Sequence, residues 1–461
     1  MYSWFILFPL LSVIILNLPF RGMMNKIAIW YALALSIAQV YLVLFPVNIV
    51  MPFLQLNLNA DIISRAVLLC IAIVLFVTIL SAKYLIKKED KLFNFVNLLF
   101  ICLAGMNGVT LVTDIFSLYV FIEITAVASY TLISFYKDKD AFEAAFKYIM
   151  LSAMASAMML AGIALIMLIS GDTGFFAIRE ALKVSPHSSL IVFAIAIFIC
   201  ALFIKGGLMP FHGWLPDAYS AAPAPVSVLL AGVVTKTLGI YGLIRIMVSV
   251  IGFDGPLKQA LLFIGALSIV VGALAALGQS DFKRMLAYSS ISQVGYIIIG
   301  LGTGTALGIF GAVFHLFNHA IFKSSLFLNS AAVESRLGTR DMDKMNGLAS
   351  KMPVTGITSV ISCLSAAGLP PLAGFWSKLI IIVALWVSGY RVYAVVAIMA
   401  SVITLAYFLS LQRRVFFGRI KEDSMNIKEA GIGLTLPAVI LTAIIIGVGI
   451  AFPFLRDAIK F

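Results

Sequence analysis

A chain of 461 residues with 62% hydrophobic and only 11% charged side chains, and a mean hydropathy of +1.10, is not a water-soluble protein, since soluble domains carry roughly 25% charge. Its net charge of +12 would suggest nucleic acid in a soluble protein, but in a membrane protein it first reports topology, and no nucleic-acid partner is expected. The apolar residues come in long continuous blocks instead of alternating, which excludes a transmembrane β-barrel and leaves an all-α polytopic membrane protein.

In chain order the apolar runs fall near 3–20, 27–45, 62–82, 92–112, 113–136, 142–170, 189–211, 221–247, 257–278, 284–302, 305–333, 353–384, 391–412 and 430–454. They predict about fourteen membrane-spanning helices joined by short loops in one compact bundle. The first run has no basic segment before it and no small-residue cleavage site after it, so it reads as a retained span. Cys70, Cys102, Cys200 and Cys363 sit singly inside apolar runs. Without paired spacing they imply neither a disulfide framework nor a zinc or iron–sulfur site. No cofactor is expected in this chain, and any redox chemistry must belong to partner subunits.

The basic residues outside the span interiors are unevenly shared. Loops after odd-numbered spans, with the adjoining span ends, hold twenty Lys and Arg, including Lys83, Lys87, Lys88, Lys91, Arg413, Arg414, Arg419, Lys421 and Lys428. Loops after even-numbered spans, with the C-terminal tail, hold seven. That bias places the odd loops in the cytoplasm and both termini outside. Arg65 lies near a span end, where its side chain reaches the headgroups.

Two spans share a pattern. Gly207-Leu208-Met209-Pro210-Phe211-His212-Gly213, preceded by Gly206, and Gly368-Leu369-Pro370-Pro371-Leu372-Ala373-Gly374 both read G-L-x-P-x-x-G. Proline removes a backbone donor and glycine loosens the helix, so the seventh and twelfth spans should be broken there. Five spans separate the two motifs. An odd offset reverses direction across the membrane, so the repeat must be inverted, and paired broken helices in inverted repeats mark an ion path.

The remaining charges lie deep in the spans, where each costs about 2.5–3.5 kcal/mol to insert. Glu123 sits in YVFIEITAV without a local partner, Lys205 in ALFIKGGL, and Lys236 in GVVTKTLG. His315, His319 and Lys323 follow at i, i+4 and i+8, which stacks them on one helix face. Lys378 follows the second break. Any one of these could fix helix register or reach the headgroups, but seven together point to an ion path. Lysine and histidine are the side chains that can exchange protons once desolvated or near neutrality, and Glu123 could tune a nearby lysine. The HxxxH spacing of His315 and His319 would suit a metal, but Leu316 replaces a zincin glutamate and no third ligand is evident, so no metal is expected. His212 is a polar residue near the first break and His187 lies in a loop. Asp114 and Asp217 sit near span ends, where solvation or a helix terminus explains them.

The segments DIFSLYVFIEITAVASY (114–130), FIKGGLMPFHGWLPDAYSAAPAPVSVLLAGVVTKTLGIYGLIR (203–245), SDFKRMLAYSSISQVGYI (280–297), HLFNHAIFKSSLFL (315–328) and GLPPLAGFWSKL (368–379) resemble the antiporter-like membrane subunits shared by respiratory complex I, Mrp sodium/proton antiporters and group 4 membrane-bound hydrogenases. The resemblance covers roughly residues 92–412. It implies two inverted five-helix units, spans 4–8 (92–250) and 9–13 (251–417), after spans 1–3 (1–91) and before span 14 (418–461). It matches Glu123, Lys205, Lys236, His315, His319, Lys323 and Lys378 to the family's ion-path positions. The M type carries glutamate at the last of these, so Lys378 leans toward the N, L or Mrp D types. The short tail after span 14 lacks the lateral helix of the L type.

The resemblance implies a proton-translocating subunit in a prokaryotic cytoplasmic membrane. Its expected partners are the lipid bilayer, neighbouring antiporter-like and other membrane subunits, and peripheral redox subunits. An autonomous carrier of a small solute or Na+ is the alternative, and an inactive spacer a third. The parent complex, H+ against Na+, and the enzyme class of the whole stay open.

Overall fold

The computed structural model describes residues 2–18, 21–46, 57–184, 188–420 and 425–455; His187 and Lys421 fall outside them. The described chain runs through α1 (Trp4–Leu16), α2 (Arg21–Leu44), α3 (Ile62–Leu85), α4 (Glu89–Leu111), α5 (Ile115–Ile133), α6 (Lys139–Ser170), α7 (Phe175–Val184), α8 (Ser189–Gly206) and α9 (Trp214–Ala221). It continues through α10 (Ala224–Ile251), then α11 (Gly255–Leu277), α12 (Phe282–Gly302), α13 (Ala306–Leu337), α14 (Pro353–Ala367), α15 (Ala373–Val387), α16 (Arg391–Val415) and α17 (Ile432–Leu455). Twelve of these are long and apolar enough to cross a membrane; α1, α14 and α15 are shorter apolar helices. Each expected span coincides with one element, or with the pair α14 and α15.

The helices start where the sequence supplies caps. Asp61, Asp114, Asp138, Asp254, Asp281 and Thr305 each accept the backbone N–H three residues on, satisfying donors that a helix start leaves open. The five aspartates interrupt the apolar runs because a capping carboxylate belongs at the wet end of a span.

The two halves repeat the same construction. α6 and α13 each run 32 residues and end on a left-handed glycine, Gly171 and Gly338. After each, a short antiparallel contact ties the helix end to the start of an earlier helix. In the first half Ile115 N–H donates to Thr173 O and Phe175 N–H to Thr113 O, both at 2.9 Å. In the second, Phe282 N–H donates to Arg340 O and Met342 N–H to Ser280 O, again at 2.9 Å. The first contact lies at the C-terminal end of α6. The second lies beside its N-terminal end, where Asp140, Glu143 and Lys147 share a cavity with Asp281 and Arg340. At 1.5 Å per residue those ends are about 48 Å apart, so the units are inverted.

α10 is buried along its whole apolar stretch and α12 almost wholly, and these two form the centre. On the outside, large apolar side chains such as Phe146, Met154, Phe263, Val392 and Val402 are exposed, as expected of a lipid-facing or subunit-facing surface.

Both breaks have one geometry. α8 ends at Gly206, and Gly207 (φ +67°) lets Leu208 N–H reach back to Phe203 O at 3.1 Å. α14 ends at Ala367, and Gly368 (φ +89°) lets Leu369 N–H reach Leu364 O at 3.0 Å. A side chain resists this left-handed cap, which is why glycine stands at both positions. Pro210 and Pro370–Pro371 follow in the non-helical links, with cis bonds at Met209–Pro210 and Pro370–Pro371. Gly374, in the first turn of α15, packs against the Ser365 backbone so closely that a Cβ would collide. The seventh expected span therefore stops at Gly206, and the stretch beyond turns into the separate helix α9.

Candidate functional site

The first break holds Lys205 at its lip. Its ammonium donates to Glu123 Oε1 at 2.8 Å, to Ser152 Oγ at 2.7 Å and to Ser156 Oγ at 3.1 Å, which fills all three donors. Ser156 also donates to Glu123 Oε1 at 2.6 Å. The lysine side chain is fully enclosed whereas 26% of the Glu123 side chain is exposed, so the carboxylate faces the outer surface of α5 and the ammonium faces inward. Glu123 has no partner close to it in the sequence. Its partners come from α6 and α8, and the serines that complete the site carry no sequence signal of their own.

Lys236 occupies the middle of α10, where the backbone widens to π-type turns over Leu230–Val234 and Lys236–Tyr241, a distortion that recurs at functional positions. Its ammonium donates to Thr235 Oγ1 at 3.0 Å and Tyr219 OH at 3.2 Å. Close packing brings it to Lys205's helix: a Cβ on Gly239 would strike the Gly206 backbone, so α8 and α10 touch main chain to main chain.

On α13, His315, His319 and Lys323 are all buried. His315 Nδ1 lies 2.9 Å from Ser377 Oγ on α15. Lys323 donates to Leu286 O at 3.1 Å and to Ser289 Oγ, both on α12. Lys378 is buried beneath the second break, over the Tyr296 ring at 4.4 Å, with Ala367 O at 3.4 Å. Among the described residues Lys236, Lys323 and Lys378 have no carboxylate within ion-pair distance. His315 Nε2, both His319 nitrogens, Thr237 Oγ1, Ser324 Oγ and Ser330 Oγ are buried without a protein partner. Buried polar atoms are normally satisfied, so their concentration along α13, with Thr237 on α10, marks a polar seam through an apolar bundle. His212 Nδ1 lies 3.3 Å from Pro210 O in the first link, exposed. No group of three His, Cys, Asp or Glu converges among the described residues.

Two charge groups escaped sequence reading. At one end Arg245 grips Asp61 with two bonds of 2.6 and 2.8 Å. Partial burial pushes the Asp61 carboxyl up, but the bonds from Arg245 and from Ser64 N–H more than reverse this, bringing it to about 2. At the other end Asp217 bridges Lys147 and Arg284, so it is more than the solvated span-end residue the sequence suggested.

Paired inverted units with broken helices around a buried row of cations define a polytopic membrane protein of the kind that carries an ion path between its repeats. Residues 112–404 match the family described as NADH:quinone oxidoreductase/Mrp antiporter, TM. The chain is 34% identical over 397 residues to the D-type subunit of the Na(+)/H(+) antiporter of Alkalihalophilus pseudofirmus, covering 86% of this chain and 80% of the relative. It is also 34% identical over 367 residues to the N-type subunit of the NADH-quinone oxidoreductase of Desulforudis audaxviator, covering 77% and 73%. Among solved structures, a chain of the membrane-bound sulfane sulfur reductase, an archaeal respiratory membrane complex, superposes with a TM-score of 0.88 at 28% identity, covering 99% and 95%. The chain belongs to the NADH:quinone oxidoreductase/Mrp antiporter family.

Proposed function

We propose that this chain is the proton-translocating, antiporter-like subunit of a larger membrane complex, redox-driven or of Mrp type. The observation that carries the reading is the Glu123–Lys205 pair opening onto an otherwise uncompensated row of Lys236, His315, His319, Lys323 and Lys378. An isolated buried ammonium is costly, whereas groups that pass one proton between them need not all be charged together.

Protons enter from the cytoplasm toward the first unit and reach Lys205. They then cross by Lys236 and the His315–Lys323 face, and leave outward near Lys378. The unpartnered polar atoms of α13 and α10 suit bridging water, which spans the gaps between the side chains. Glu123 gates the first step by holding or releasing the Lys205 ammonium. The unit boundaries follow the repeat: 92–250 and 251–417, with 1–91 and 418–461 as flanking helices. Both termini lie outside a prokaryotic cytoplasmic membrane, as the basic bias of the loops favours. The relatives are named as subunits of an antiporter and of an oxidoreductase, which supports partners within a membrane complex; further antiporter-like subunits and peripheral energy-supplying subunits complete the proposal. No cofactor or metal is assigned to this chain.

The test uses the complex purified in mild detergent and reconstituted in liposomes. Driven by its own energy source it should build a pH gradient, and Lys323→Ala should remove it while the subunit composition is unchanged. A full gradient in that variant would contradict the path.

A further inference from the structure

α9 is only eight residues long, yet it reaches the surroundings of three lysines. Trp214 Nε1 donates to Ile204 O at 3.1 Å, one residue before Lys205, and its ring stacks on Tyr148 of α6 at 4.0 Å between centroids. Five residues further along α9, Tyr219 OH accepts from Lys236. Between them stands Asp217, with Lys147 Nζ at 2.8 Å and Arg284 Nη1 at 2.6 Å.

Those two cations belong to different units. Lys147 lies on α6, five residues before Ser152, which accepts from Lys205. Arg284 lies on α12, five residues before Ser289, which accepts from Lys323. The second unit also holds the C-terminal carbonyls of α9: Arg340 donates to Ser220 O, and Lys283 to Ala222 O at 3.4 Å. Burial alone would raise the Asp217 carboxyl, but the bonds from Lys147 and Arg284 lower it, so it stays ionised at neutral pH. Glu143 also pairs with Lys147 at 2.8 Å, but among the described residues Asp217 is the carboxylate that joins Lys147 to Arg284.

We infer that Asp217 is a positioning residue for ion transfer: it latches α9 to both inverted units at once and thereby holds Trp214 against the Lys205 turn and Tyr219 against Lys236. Trp214, Leu215, Pro216, Ala218 and Tyr219 pack one side of this short helix into the bundle, and a carboxylate shared by two cations fixes its other side to both units. The consequence for transport rests on the proton path proposed above, whereas the latch itself does not.

The experiment reads the two separately, in the intact complex in native membranes. Ala218 is buried on α9 next to Asp217, so Ala218→Cys should react slowly with a membrane-permeant maleimide. Adding Asp217→Asn should speed that reaction about tenfold by freeing α9. Arg284→Gln should act in the same direction, and the two together should be no faster than Asp217→Asn alone. Asp217→Glu, which keeps the charge, should restore protection. Proton transport should fall about tenfold in Asp217→Asn, because a misplaced donor of even 1 Å is costly, and recover by more than half in Asp217→Glu. If Asp217→Asn does not assemble, Lys147→Gln and Arg284→Gln each release one side and should expose the thiol. Unchanged thiol reactivity overturns the latch. An exposed thiol with undiminished transport overturns the positioning role, as does lost transport with the thiol still protected. Normal transport in Lys205→Ala would sink the proton path while leaving the thiol readout intact.

Discussion

Replacing Glu123 by Gln keeps the shape of the side chain and removes its charge. The ion pair it makes with Lys205 is 2.8 Å long, and at an effective dielectric near 20 that separation is worth about 6 kcal/mol. Partial exposure of the carboxylate screens some of this, and losing one partner of a buried pair typically costs about 3–5 kcal/mol. Each 1.36 kcal/mol that reaches the transfer barrier is about tenfold in rate, so loss of half of that about 3–5 kcal/mol should slow proton uptake by at least about tenfold. The assay is dye-reported proton uptake by inverted vesicles holding the assembled complex. Glu123→Asp keeps the charge but withdraws the carboxylate by about 1.5 Å, and should retain part of the rate because the attraction weakens with distance without vanishing. In Lys205→Ala the Glu123→Gln change should add little, because the partner it acts on is gone. Normal uptake in Glu123→Gln, or losses that simply multiply in the double variant, would refute a gated pair.

Single cysteines placed in the 338–351 loop should be shielded from an impermeant thiol reagent in intact cells; labelling from outside would reverse the orientation and the direction of transfer. Lys205→Ala and Lys378→Ala should each abolish proton uptake with normal assembly, and Lys→Arg should not rescue either, because arginine keeps its proton; uptake in both would remove these lysines from the path. Asp61 is held at about 2 against 3.8 ordinarily, so its stabilising effect is full above pH 4 and fades as pH falls toward 2. Fully buried, that would be about 2.5 kcal/mol, and with 39% of the side chain exposed screening leaves about 1 kcal/mol. Asp61→Asn should therefore lower the thermal midpoint at pH 7 and leave it nearly unchanged near pH 2; an equal effect at both would contradict the Arg245 pairing.

Much of this was readable from the residues, for reasons that are local. Spans announce themselves by unbroken apolar length, and the two breaks by glycine and proline inside such length, so Gly207, Pro210, Gly368 and Pro370–Pro371 fell where helices end. Lysines within apolar runs are conspicuous because they are costly. What could not be read depends on contacts distant in sequence. Ser152 and Ser156 look like ordinary small residues of a span until α8 brings Lys205 against them. Arg245 reads as the end of a span until Asp61 meets it. α7 is short, with Phe175, Ile178 and Leu182 buried and Arg179 and Lys183 outward, and its ten residues are too polar to register as a span. α9 hid because its apolar residues continued the runs on either side, and Asp217 with it.

The most direct measurement is proton flux through the reconstituted complex carrying Lys236→Ala or Lys236→Arg, with energy input monitored in the same liposomes. On the proposed path Lys236 is the step between Lys205 and the α13 face, and among the described residues its ammonium has Thr235 and Tyr219 as hydrogen-bond partners. Both variants should lose the pH gradient while the complex stays assembled. A gradient at the unaltered rate in Lys236→Ala would contradict a path through the buried row.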